Sequence, residues 1–126
     1  MAGFKPAVLI VDDDKDVRES LACLFSNSGY DIRVAVDGVS ALLALMDYKP
    51  DVILSDMNMP RLGGDELLPM VRHLWPSIRI VAMSGEFSSG IVPHGVAADA
   101  FYAKGSDSCS RLLEILSELN FPSQCI

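Results

Sequence analysis

The chain has 126 residues, 50% of them hydrophobic, and a formal net charge of −7 at pH 7. This length predicts one domain with a sizeable core, and the hydrophobic content excludes a disordered chain. The acidic balance argues against direct nucleic-acid binding, which needs a clustered basic surface, and no apolar run approaches the length of a membrane span.

Apolar runs and stretches of helical spacing alternate along the chain. The runs predict five strands, at Ala7 to Val11, Ile32 to Val36, Asp51 to Asp56, Ile78 to Met83 and Ala100 to Ala103. Helical spacing predicts four helices, on Val17, Leu21, Leu24 and Phe25, on Leu42, Leu45 and Met46, on Leu67, Val71, Leu74 and Trp75, and on Leu112, Ile115, Leu116 and Leu119. Asp14 suits the N-cap of the first helix, and Gly29 suits its end. This alternation predicts a parallel sheet with helices on both faces.

Each candidate functional side chain lies at the carboxyl end of a predicted strand. These residues are Asp12, Asp13, Asp56, Ser84 and Lys104. Because parallel strands end at one shared edge, the five side chains can converge on one crevice. An alternative interpretation makes the acids helix caps, places the serine in a turn and leaves the lysine solvated, but it does not explain why all five follow strands.

Three carboxylates in one crevice have a definite chemistry. They repel one another and raise each other's pKa values unless a cation neutralises them. An oxygen-only cluster suits a hard divalent metal such as Mg²⁺. With Ser84 and Lys104 beside it, such a cluster provides what a transferring phosphoryl group needs, and one carboxylate can serve as the nucleophile.

At these residues the sequence resembles the receiver domain of two-component response regulators, a family that includes the single-domain chemotaxis regulator. The motifs are Val11-Asp12-Asp13, Ser55-Asp56-Met57-Asn58-Met59-Pro60 followed by Gly64, Ser84-Gly85 and Lys104. The resemblance covers nearly the whole chain. It implies a single flavodoxin-like domain over residues 1–126, with strand order 2-1-3-4-5. It also implies a signalling switch rather than an enzyme, in which Asp56 takes a phosphoryl group from a sensor kinase's phosphohistidine.

The resemblance assigns the metal ligands as well. Asp13 and Asp56 would bind Mg²⁺ directly, together with the main-chain carbonyl of Asn58. Asp12 would act mostly through a metal-bound water.

Further roles follow from the same resemblance. Ser84 and Lys104 would contact the phosphoryl group, and Phe101 matches an aromatic switch position whose rotamer follows Ser84. Asn58 and Glu86 occupy positions that tune the lifetime of the phosphoryl group.

One segment departs from the family pattern. Residues Phe87 to Ala98 carry Gly90, Pro93 and Gly95 where the family has a helix between the fourth and fifth strands. Gly and Pro oppose a regular helix, so we expect this segment to be only marginally stable and to be ordered or shifted by phosphorylation.

Two other functions stay open at this point. A phosphohydrolase of the haloacid-dehalogenase type would use the Asp-x-Asp pattern of Asp12-Asp13-Asp14, with Asp12 as nucleophile, but would leave Asp56 unexplained. A pseudo-receiver would bind a partner without phosphorylation.

The cysteines and the family resemblance indicate the setting and the partners of the chain. Cys23, Cys109 and Cys125 are few and not in metal-ligand spacing, which indicates a reducing cytoplasm, with Cys23 expected in a helix core. The input partner would be a sensor histidine kinase or a phosphotransfer protein. The output would be a downstream protein or an effector domain, with no membrane contact.

Overall fold

A computed structural model describes residues 5–59, 61–85, 97–104 and 108–119. Its elements are β1 (Ala7–Val11), α1 (Lys15–Asn27), β2 (Asp31–Ala35), α2 (Gly38–Asp47), β3 (Val52–Asp56), α3 (Gly64–Leu74), β4 (Arg79–Ser84), β5 (Ala100–Ala103) and α4 (Cys109–Glu118). All strand pairs are parallel, in the order β2-β1-β3-β4-β5, which confirms the predicted sheet. Strands β2 and β4 are displaced by one residue from the predicted bounds.

The sheet separates two cores because successive strand residues point to opposite faces. Leu9 and Val11 of β1 pack on the side of α2 and α3, whereas Val8 and Ile10 pack on the side of α1 and α4. Every residue of β3 is buried, as expected of a central strand covered on both faces.

Caps fix where two of the helices begin. The Asp14 carboxylate accepts hydrogen bonds from the N–H groups of Asp16 and Val17, as predicted for the start of α1. The Asp37 carboxylate accepts from Ser40 N at 2.8 Å at the start of α2. Gly29, just past α1, has a φ of 91°, a conformation that glycine adopts without strain.

Three predicted core positions are wrong. Leu74, at the end of α3, is 53% exposed, because α3 buries Leu67, Leu68 and Val71. Met46 is 69% exposed, because α2 buries Ala41 and Leu45 and residue 46 lies about 100° further round the helix. Cys23 is exposed, because α1 buries Leu21 and Phe25 instead.

Two further observations concern the segment before β5 and the character of the helices. Of the predicted segment at residues 87–98, only Ala97 and Ala98 lie within the described residues, and both pack against the core. Across the described ranges, no helix has the length and apolar character needed to cross a membrane.

Candidate functional site

The parallel register brings the predicted residues to one edge of the sheet. Asp56 and Ser84 are the last residues of β3 and β4, while Asp12 and Lys104 directly follow β1 and β5. Main-chain hydrogen bonds from Met57 N to Met83 O (2.8 Å) and from Lys104 N to Ser84 O (2.9 Å) continue the ladder past the strand ends. The predicted convergence on one crevice is therefore present.

Three carboxylates form a cluster in this crevice. One oxygen from each of Asp12, Asp13 and Asp56 lies within 4.8 Å of the other two. Asp12 is fully buried and Asp56 is only 5% exposed, whereas Asp13 is exposed. An all-oxygen donor set with one solvent-facing member has the chemistry of a site for a hard divalent cation.

Lys104 crosses the crevice and joins two of the acids. Its Nζ lies 2.9 Å from Asp12 Oδ2 and 3.3 Å from Asp56 Oδ1. The side chain is 25% exposed, so these ion pairs are partly shielded from water. A single ammonium thus forms ion pairs with two of the three carboxylates.

Asp12 accepts hydrogen bonds through both carboxylate oxygens and through its main-chain carbonyl. Its Oδ1 accepts a hydrogen bond from Asp14 N at 2.9 Å, and its Oδ2 accepts from Lys104. Its main-chain carbonyl accepts from Arg18 Nη1 at 2.9 Å. Both carboxylate oxygens are therefore engaged, which fixes the rotamer of this residue. Sequence reasoning missed Arg18, although a guanidinium one turn into the helix after an acidic strand end could have indicated such a contact.

Burial and charge shift the pKa values of the two central groups. The pKa of Asp56 is raised, chiefly by burial and further by the charges of Asp12 and Asp13, against the opposing effect of Lys104. Burial alone would lower the pKa of Lys104, but its hydrogen bonds and charge interactions with Asp12 and Asp56 raise it overall. Lys104 thus carries its positive charge at neutral pH.

Of the predicted switch and lifetime residues, the structure describes Ser84, Phe101 and Asn58. Ser84 is fully buried, and Asn58 Nδ2 lies 3.5 Å from Ser84 Oγ, at the limit of a hydrogen bond. Asn58 itself is exposed. Phe101 is 6% exposed and packs in the core cluster on the α2 and α3 side. Glu86 lies outside the described residues.

The loop after Asp56 packs so closely against two glycines that neither position has room for a Cβ atom. A Cβ on Gly64 would lie 2.6 Å from the main-chain oxygen of Asp56, and one on Gly38 would lie 2.1 Å from that of Leu62. Arg61 and Leu62 both have positive φ, at 55° and 77°. The loop therefore contacts the start of α2, where Arg61 Nη1 also forms an ion pair of 3.5 Å with Asp37 Oδ2. Sequence patterns did not indicate this contact.

Comparison with known proteins agrees with the geometry. The family model described as "Response regulator receiver domain" matches residues 8–104. The response regulator MprA of Mycobacterium sp. (strain KMS) is 38% identical over 81 residues, covering 64% of this chain and 35% of the relative. The chain thus spans about a third of the length of the curated relatives it matches.

Solved structures show the same likeness. The receiver domain of the Francisella response regulator 1452 has a TM-score of 0.81 at 30% identity, covering 90% of this chain and 94% of that one. Chemotaxis response regulator CheY4 of Vibrio cholerae gives 0.81 at 29% identity, covering 90% and 98%. Response regulator TrrA of Thermotoga maritima, in complex with Mg(2+)-BeF, gives 0.79 at 25% identity, covering 92% and 100%.

Proposed function

Since this chain belongs to the response regulator receiver domain family, we propose that Asp56 is its phosphoacceptor and that phosphorylation of Asp56 switches a partner-binding surface. The observation that carries the proposal is the placement of Asp56 at a strand end, beside Lys104 and the two acids Asp12 and Asp13. A carboxylate so placed has a cation beside it at the point where phosphoryl charge would arrive.

The bonds that change in the transfer belong to Asp56 and to a phosphohistidine donor, with Lys104 beside them. An Asp56 carboxylate oxygen attacks phosphorus, a new O–P bond forms, and the N–P bond to the imidazole breaks with its electron pair leaving on nitrogen. Lys104 neutralises the oxygens of the incoming group, because its Nζ lies 3.3 Å from Asp56 Oδ1.

The donor set fits Mg²⁺, and its members are not equivalent. Asp12 already accepts hydrogen bonds at both carboxylate oxygens, which favours an indirect role through a bound water. Asp13 and Asp56 are better suited to direct ligation, with the Asn58 carbonyl as the third protein ligand. When bound, the ion would offset the repulsion among the carboxylates and neutralise the phosphoryl oxygens. Thermotoga TrrA, which shares this fold, is in complex with Mg(2+)-BeF, and this supports Mg²⁺ as the cation.

Ser84 and Phe101 are proposed to transmit the change. A phosphoryl group adds a charge of roughly −1.5 to −2 and new acceptors beside Ser84. A Ser84 hydroxyl that turns toward those acceptors vacates space, and Phe101 is proposed to fill it. Hydrogen exchange at the β5 amides with and without beryllofluoride tests this step; identical protection in both states would remove Phe101 from the switch.

Asn58 and Glu86 are proposed to set how long the phosphoryl group survives. Both are polar and can orient an attacking water, which favours rapid autodephosphorylation. The exposed Asn58 amide near Ser84 supports this role for Asn58. An Asn58→Lys, Glu86→Leu double variant should therefore lose its phosphoryl group more slowly, and an unchanged decay rate would remove both residues from this role.

Incubation with acetyl phosphate and Mg²⁺, followed by mass spectrometry, tests the proposed acceptor. Wild type should gain one acid-stable, base-labile phosphoryl group, and Asp56→Asn should gain none, because an amide is a far poorer nucleophile. Asp65→Asn, which removes an exposed acid of α3 outside the cluster, is the matched control and should be modified like wild type.

The same experiment separates the alternative functions. Rapid multiple turnover of the phosphodonor would indicate a phosphohydrolase, and no modification at all would indicate a pseudo-receiver. The engagement of both carboxylate oxygens of Asp12 disfavours this residue as a hydrolase nucleophile.

On the input side we propose a sensor histidine kinase or a phosphotransfer protein as donor. On the output side we propose either a separate protein or an effector domain of a longer chain, since the MprA relatives extend well beyond the matched region.

A further inference from the structure

Several large apolar side chains remain exposed, and most of them belong to α2 and α3. Within the described ranges these residues are Val34, Val36, Val39, Leu43, Met46, Met70 and Leu74. Five of the seven belong to α2 or α3, and Leu43 and Met46 are 63% and 69% exposed. Exposed apolar residues scattered singly need no explanation, but a contiguous set marks an interaction surface.

The five helical residues lie on the flanks by which α2 and α3 turn toward each other. Val39, Leu43 and Met46 recur at i, i+4 and i+7 and so share one flank of α2, while Met70 and Leu74 share one flank of α3. Both helices pack on the same face of the sheet, and right-handed connections place α3 on the side to which the α2 flank turns.

The orientation of α3 has an independent marker. Arg72, on the other flank of α3, forms an ion pair of 3.1 Å with Asp99, immediately before β5. The flank of Met70 and Leu74 must therefore face away from β5 and toward α2. We call the groove lined by Val39, Leu43, Met46, Met70 and Leu74 the α2–α3 groove.

We propose that the α2–α3 groove binds the same groove of a second copy of this chain, across a two-fold axis, with the helices antiparallel. The exposed surface of its five residues is roughly 500 Å², within the range of functional patches. A standard interface buries about 800 Å² per partner, and homodimer interfaces are about 65% apolar. The groove thus supplies the apolar share of one such interface, with polar neighbours as its rim.

Charged residues at the ends of the helices complement one another in the antiparallel arrangement. Arg61 lies at the N-terminal end of α2, where it meets Asp37, and the exposed Asp47 is the last residue of α2. In α3 the first turn carries Glu66 and the last turn carries His73, both exposed. Antiparallel pairing places α2 on the second copy's α2, so that Arg61 lies against the second copy's Asp47 and Glu66 against the second copy's His73.

The strong acidity of the chain also favours this face. At a net charge of −7, two copies repel each other over most of their surface. The five groove residues carry no charge, so close approach is least opposed there. In a two-fold contact, a residue near the axis packs against the same residue of the second copy. Leu43 satisfies this requirement, because two uncharged leucine side chains can pack together.

Sedimentation velocity across roughly 5 to 500 µM protein tests the proposal, since interfaces of this size span micromolar to much tighter affinities. Wild type should show a concentration-dependent dimer. Leu43→Glu should raise the dimer dissociation constant at least tenfold. Val34→Glu is the matched control: Val34 is 49% exposed but points to the opposite face of the sheet, beside Ile10, and should leave the dimer intact. A wild-type chain that stays monomeric throughout, or a dimer that Leu43→Glu does not weaken, overturns the proposal.

Charge exchange tests the orientation. Asp47→Arg and Arg61→Glu should each weaken the dimer, and the double variant should restore it, with thermal melts confirming that each variant is folded. Failure of the double variant to recover any affinity would overturn the antiparallel arrangement. Leu43 lies outside the carboxylate crevice, so phosphorylation of Leu43→Glu by acetyl phosphate should match wild type; the dimer and the phosphoacceptor site can therefore fail independently.

Discussion

Replacing Asp56 by Asn should make the metal-free protein more stable. Asp56 is nearly buried and faces two other carboxylates within 4.8 Å. At an effective dielectric constant of about 20, each such repulsion amounts to about 3.5 kcal/mol at 4.8 Å, and the attraction of Lys104 at 3.3 Å amounts to about 5 kcal/mol. Two repulsions therefore exceed one attraction by about 2 kcal/mol, before the cost of burying the charge is added.

Solvent screens the charge of the exposed Asp13 more than that of the buried Asp12, which reduces the repulsion between Asp13 and Asp56. We therefore expect Asp56→Asn to raise the free energy of unfolding by about 1–2 kcal/mol. This corresponds to a melting temperature higher by about 3–6 °C for a chain of this size. The measurement is urea unfolding of Asp56→Asn and wild type at pH 7 in EDTA.

The pH dependence of the difference follows from the raised pKa of Asp56. A carboxyl whose pKa is higher in the folded state destabilises that state once it ionises. The advantage of Asp56→Asn should therefore be absent below the ordinary Asp value of 3.8 and grow as pH rises through the raised folded-state pKa.

A matched control separates this effect from a general loss of negative charge. Asp31→Asn removes one exposed acid from β2, far from the cluster, and should change stability by no more than about 0.5 kcal/mol. Equal or lower stability of Asp56→Asn at pH 7 without metal would refute the repulsion argument, as would an equal gain from Asp31→Asn.

Three more predictions concern single contacts, and urea unfolding measures each of them. Lys104→Met should lower metal-free stability by about 2 kcal/mol because buried Asp12 loses its cation. Since the pKa of Lys104 is raised in the folded state, the difference in stability from wild type should persist up to the ordinary lysine pKa of 10.5 and close only above it. Gly38→Ala should cost about 2 kcal/mol or more, because its Cβ would lie 2.1 Å from Leu62 O; a neutral result would show that the loop yields freely. Asp14→Ala should cost about 1 kcal/mol through loss of the α1 cap, and Asp14→Asn should retain most of that stability.

Much of the fold and of the site followed from local pattern. The alternation of apolar runs with helical spacing predicted the parallel sheet, because strand and helix periods are properties of a few consecutive residues. The convergence of Asp12, Asp56, Ser84 and Lys104 followed in turn, because parallel strands necessarily end at one edge. The sequence motifs that carry the family resemblance lie at those same strand ends.

The tertiary structure alone decided how these groups pair. Lys104 bridges Asp12 and Asp56, which are 92 and 48 residues away in sequence, and Arg18 holds the Asp12 carbonyl. No periodic pattern encodes which of three acids an ammonium will contact. That choice depends on side-chain reach and burial in the assembled crevice, and it makes Asp12 the acid with both oxygens engaged.

Helix α2 shows where sequence pattern reaches its limit. Its residues are apolar on nearly every side, so the spacing of Leu42, Leu45 and Met46 could not identify the buried face. Packing against the sheet chose Ala41 and Leu45, and left Leu43 and Met46 exposed. A one-sided apolar stripe determines its own orientation, but an apolar helix is oriented by the neighbours that reach it, and these come from distant parts of the chain.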